Sequence, residues 1–104
     1  MIYHVTAAFR PETASDFLAK LTDGTIAKQR PDGAEIVASM ERAVVTDAGT
    51  VEWSEMCFCP SPLKHERATV LDRHFDDIRT ETIDAQATYE GEPFMDYLRR
   101  LATP

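Results

Sequence analysis

Cys57 and Cys59 are the only two thiols in the chain, and His65 follows at the start of a predicted helix. Two thiolates and an imidazole, with His74 or His4 as a fourth donor, would suit a soft or borderline divalent metal. The spacing argues against that use. Structural zinc sites carry two or more residues between paired cysteines, whereas a single spacer on a strand sends both side chains outward in parallel. The same projection holds the sulfurs too far apart for easy bridging. The pair therefore reads as reduced thiols, and no metal and no cofactor is expected. Redox sensing would need a lowered thiol pKa, of which the sequence gives no sign.

The most enzyme-like grouping is His4 with Glu55, flanked by Trp53 and Cys57. A histidine beside a carboxylate can act as a base near neutral pH, and an indole can stack on a planar substrate. His4 is the candidate base and Glu55 its orienting partner, provided both share the uncovered face of a sheet, with Met56 and Phe58 facing inward. Such a site suits isomerisation of a small cyclic or aromatic compound, or cofactor-free oxygenation of an electron-rich ring. Arg67 and His74 lie seven residues apart on one helical stripe and would hold an anionic group. A buried arginine needs an acid against it, from Glu55, Glu81 or the ligand itself. The plainer alternative has Arg67 reaching the sheet edge and His74 hydrogen-bonding a backbone carbonyl.

The elements that must position these groups follow from periodicity. Residues 2 to 9 alternate, with Tyr3, Val5, Ala7 and Phe9 on one side and His4 and Thr6 on the other, which predicts a first strand. A helix follows from Pro11 to Thr22, carrying Ala14, Phe17, Leu18 and Leu21 at helical spacing and closed by Gly24. Thr25–Ala34, containing Arg30-Pro31-Asp32-Gly33, reads as an ordered loop or short hairpin. Glu35–Thr46 and Val51–Cys59 read as two antiparallel strands joined by a turn at Asp47–Thr50. Ser61 and Pro62 open a second helix whose apolar face runs from Leu63 through Val70, Leu71 and Phe75 to Ile78. A fourth strand over Thr80–Thr88 and a terminal helix from Pro93 complete the chain.

With 104 residues and 43% hydrophobic content, residues 1–104 make one domain. A net charge of −7 repels phosphate backbones and anionic head groups, so neither nucleic acid nor a membrane surface is an expected partner. No leader-like segment or long apolar run occurs, and a cytoplasmic location is expected. Phosphate loops, the Gly-x-Ser-x-Gly elbow and the i,i+4 histidine pair of helical zinc sites are all missing.

The element order is that of a ferredoxin-like α+β fold, βαββαβ with a C-terminal helix: a four-stranded sheet with strands one and three parallel at its centre and the helices on one face. Across nearly the whole chain this order resembles the dimeric α/β-barrel proteins, in which two such domains pack sheet to sheet. The resemblance implies a homodimer whose uncovered sheet faces enclose a pocket for a small organic molecule. Two other readings stand beside it: a non-catalytic assembly protein using that face only as an interface, and a thiol or metal sensor built on Cys57 and Cys59.

Overall fold

Alternation along the first strand decides the layering. The computed structural model describes residues 1–47 and 49–102. In it, β1 (Ile2–Phe9) buries Tyr3, Val5, Ala7 and Phe9 and turns Ile2, His4, Thr6 and Ala8 to the other face, as predicted. A 3-10 turn at Pro11–Thr13 leads into α1 (Ala14–Thr22), whose Ala14, Phe17 and Leu21 face the core, again in line with the sequence.

The strand predicted over Glu35–Thr46 does not form along most of that length. Residues 33 to 42 make α2 (Gly33–Arg42), which buries Ile36, Ser39 and Met40 at helical spacing. Only Val44–Asp47 is extended, as β2. It pairs antiparallel with β3 (Thr50–Met56), as expected. The predicted turn between them includes Ala48, which lies outside the described residues. β3 stops at Met56 instead of running to Cys59. Past the end of β2, side chains of α2 serve the ladder groups of β3: Arg42 donates to the Ser54 carbonyl at 2.9 Å, and Glu35 Oε2 accepts the Met56 N–H at 2.9 Å.

The next helix, α3, spans residues 64–74 with a π turn at Arg67–Leu71. It begins later than the Ser61 cap implied and ends at His74, short of Ile78. There the Arg10 N–H takes the His74 carbonyl at 2.8 Å, and Phe75 pairs with Phe9. β4 therefore runs from Phe75 to Ile83, earlier than Thr80–Thr88. A short strand that the sequence did not suggest, β5 (Glu92–Pro93), precedes α4 (Phe94–Ala102), the predicted terminal helix.

Among the described residues the result is an α+β fold with a five-stranded antiparallel sheet in the order β4-β1-β3-β2-β5 and four helices. β1 and β3 are central neighbours but antiparallel, not parallel. The helical crossover returns β2 in the direction of β1, and the β2–β3 hairpin then reverses the chain. Phe17, Ile36, Met40, Leu71, Phe94 and Leu98 from the helices close a contiguous core over the inner sheet face.

β4 and β5 lie at opposite edges of the sheet, so residues 84 to 91 must traverse its outer face. The crossing is anchored on Ser54, whose hydroxyl lies 2.6 Å from Gln86 Oε1 and accepts the Ala87 N–H at 3.1 Å. Among the described residues, no helix is long and apolar enough to cross a membrane.

Candidate functional site

Register separates the predicted catalytic pair. β1 opposes β3 with Tyr3 across from Glu55 and Val5 across from Trp53, and directly opposed residues share a face. Trp53, Glu55 and Cys57 therefore point inward and are buried, on the side away from His4. Met56 and Phe58, predicted inward, are 37% and 87% exposed. The expected uncovered-face cluster of His4, Glu55, Trp53 and Cys57 does not assemble.

His4 instead meets Glu52, with Nε2 2.6 Å from Oε1, and stacks on Tyr89 of the crossing segment at 4.6 Å between ring centres. A histidine–carboxylate pair thus exists on the outer face, with a different carboxylate. Arg67 is exposed and donates to Asp72 at 3.0 Å, so it does not face the core. His74 is buried and stacked on Phe17 at 4.0 Å. The Thr13 hydroxyl donates to the Arg10 carbonyl and therefore accepts from His74 Nδ1–H at 2.8 Å. Burial pushes the His74 pKa down to about 4. Arg67 and His74 do not converge on an anion site.

The inward turn of β3 assembles a different group. Trp53 Nε1 donates to Glu55 Oε1 at 2.8 Å, while burial, helped by the nearby carboxylates of Glu66, Glu35 and Asp32, pushes the Glu55 pKa up to about 8. Cys57 still exchanges backbone hydrogen bonds with Met1, and beyond it the chain bends, so that the Cys59 N–H donates to Cys57 Sγ at 3.2 Å. Leu63, fully buried, then sits at φ 55°, a left-handed conformation costly for a leucine, and swings the chain into α3.

That bend sets Glu66, in the first turn of α3 and only 1% exposed, beside both thiols, and Cys59 Sγ–H donates to Glu66 Oε1 at 3.5 Å. Asp32, just before α2, faces Glu66 and accepts from His65 Nδ1 at 2.7 Å. Burial would raise both carboxyl groups. Hydrogen bonds from Glu66 and His65 outweigh it at Asp32 and hold that pKa below the usual range, while burial and Asp32 together raise Glu66. Neither Glu66 Oε2 nor Asp32 Oδ1 has a hydrogen-bond partner among the described residues.

These groups line a cavity of about 250 Å³, with Pro31, Met56 and Phe58 at its apolar wall and Asp32, Glu35, Cys57, Cys59 and Glu66 supplying its polar atoms. Among the described residues, no lysine or arginine lines it. Burial pushes the Cys57 thiol up to about 12, so in this structure it is a resting thiol and not a reactive thiolate. Comparison with known proteins finds no matching family model, no matching curated protein and no matching solved structure.

Of the residues expected to act, the structure brings Cys57 into this cavity and leaves His4, Arg67 and His74 elsewhere. Glu66 and Asp32 were missed. The available signal was their position, since Asp32 immediately precedes a helix and Glu66 follows Cys59 by seven residues on the next one.

Proposed function

We propose that this chain binds a small organic molecule in the cavity where β3 ends against α2 and α3. The observation that carries this reading is Glu66, a buried carboxyl group with an oxygen lacking an outside donor, at the floor of a 250 Å³ cavity with an apolar wall. Pockets of this make-up, apolar with few convergent polar groups, are the usual setting for small-molecule recognition. The ligand's hydrophobic body packs against Pro31, Met56 and Phe58, and its polar end meets Glu66. His4 and Glu55 share no role in this reading. The strand order β4-β1-β3-β2 supports a ferredoxin-like description with β5 added at one edge.

The test is ligand binding to the metal-free chain, followed by amide chemical-shift mapping. Binding should shift residues 31–35, 56–59 and 66, and Glu66→Gln should weaken it at least tenfold, a loss of about 1.4 kcal/mol or more. Shifts confined to the surroundings of His4 and Tyr89, or a Glu66→Gln variant that binds as well as the natural chain, refute the assignment.

A second reading concerns self-association. Ile2 opposes Met56 on one side and Ile83 on the other, which lines up three apolar side chains across the outer face, with exposed Phe58 near the Met56 end. A second copy covering this patch would give the sheet-to-sheet homodimer that the element order suggests.

A further inference from the structure

We propose that the floor of this cavity is a metal site, in which Cys57 Sγ, Cys59 Sγ and a Glu66 carboxylate oxygen hold a thiophilic divalent cation, zinc by preference, with one coordination position open to the cavity. The inference rests on the cavity being reachable from solvent, as the small-molecule reading also requires, but not on any organic molecule binding there.

Three donor atoms, one from each residue, lie within 4.8 Å of one another. Ligands on a tetrahedral zinc at ordinary bond lengths are roughly 3.5 Å apart, so small side-chain rotations close the site. The objection to a single-residue spacer applies to two cysteines on one continuing strand. Cys57 still pairs with Met1 at the end of the ladder, but the chain bends after it and folds Cys59 back toward Cys57. The Cys59 N–H on Cys57 Sγ is the type of hydrogen bond that stabilises a coordinated thiolate.

Glu66 supplies an independent pointer. It is 1% exposed, and its Oε2 has no hydrogen-bond partner among the described residues, an orphaned buried acceptor that a cation would satisfy.

On binding, the thiol protons of Cys57 and Cys59, with any proton carried by Glu66, leave to solvent, and the lone pairs go to the metal, with no change of oxidation state. Two thiolates select against magnesium and calcium. Three protein ligands and an open fourth position define a reactive or ligand-accepting centre, not a closed structural one. The cation also supplies the positive charge that the cavity lining lacks, so an oxygen donor on a small molecule is the chemistry that completes it.

The experiment is titration of chelator-stripped full-length protein with Co²⁺. One equivalent should produce sulfur-to-cobalt charge-transfer absorption that one equivalent of Zn²⁺ abolishes. Cys59→Ser should lower that absorption by roughly half, and Glu66→Gln should weaken Co²⁺ binding tenfold or more while the circular dichroism stays unchanged. X-ray absorption at the zinc edge of the unmodified protein requires no variant and should report two sulfur neighbours.

No charge-transfer absorption at stoichiometric Co²⁺, or a zinc edge without sulfur, overturns the proposal. If ligand-induced shifts persist in the metal-free chain while the cobalt signal fails, only the metal inference falls. A cobalt signal without ligand shifts removes only the organic-molecule reading.

Discussion

His74 shows how a side chain with catalytic credentials becomes part of a core. Its ring lies flat on Phe17 and its proton goes to Thr13, so the neutral form belongs to the fold. Its pKa falls to about 4, chiefly by burial, with Lys20, Arg73 and Arg10 lowering it and Asp16 opposing them. The unfolded chain binds a proton at this residue below about pH 6.5, and the folded chain does not until about pH 4. The stabilisation is therefore complete above pH 6.5 and lost as pH falls toward 4, a change of about 3 kcal/mol. Glu55, pushed up to about 8, titrates in the opposite sense over the same range, so the check is a difference: between pH 7 and pH 4.5 the denaturant midpoint of a His74→Leu variant should rise relative to that of the unmodified chain. Trp53 offers a second test at this scale. Trp53→Phe removes the donor that Glu55 Oε1 accepts from, leaving a buried acceptor unpaired at a cost of about 1–3 kcal/mol in urea unfolding. His4→Ala, on the outer face, should leave ligand binding in the cavity unchanged in a calorimetric titration.

Among the elements, α2 separates what the sequence makes legible from what it hides. β1, α1 and α4 carry clear periods and form where those periods predict, and β2 and β3 pair antiparallel as expected, although β2 is reduced to Val44–Asp47. In α2, Ile36 and Val37 lend β-branched character, but Ile36 and Met40 recur at helical spacing, and the β-branched run proper is Val44 to Thr46. Gly33 reads as turn punctuation, yet it opens the helix because a Cβ there would lie 2.0 Å from the Ile26 carbonyl oxygen. Gly33→Ala should therefore destabilise the fold by roughly 3 kcal/mol. It should also shift amide resonances at neighbouring Asp32, which a purely remote effect would spare. β3 hides its register for another reason. Both of its phases carry apolar residues, Trp53 and Cys57 against Met56 and Phe58, so alternation does not decide between them. Turning Glu55 inward looks prohibitive until its bond to Trp53 and its raised pKa are known, and neither is written in the local pattern. The candidate site inherits that opacity, because it depends on where β3 ends.

For the whole molecule, the segment crossing the outer face limits how two copies can meet. The centre of that face is occupied around Ser54 and His4, which leaves the apolar line of Met56, Ile2 and Ile83 toward one end. Sedimentation velocity should show a dimer that Ile83→Lys dissociates, and a monomer at all concentrations would remove the self-association reading. β4 governs the other route to assembly. It is a nine-residue edge strand paired on one side with β1, and its outward backbone groups could template another chain. Asp77 sits there at φ 52°, where the register with β1 slips, and Asp76, Arg79 and Glu81 are exposed along the strand. A kinked, charged border cannot accept a straight incoming strand without burying those charges, so the molecule is guarded against open-ended polymerisation into fibres.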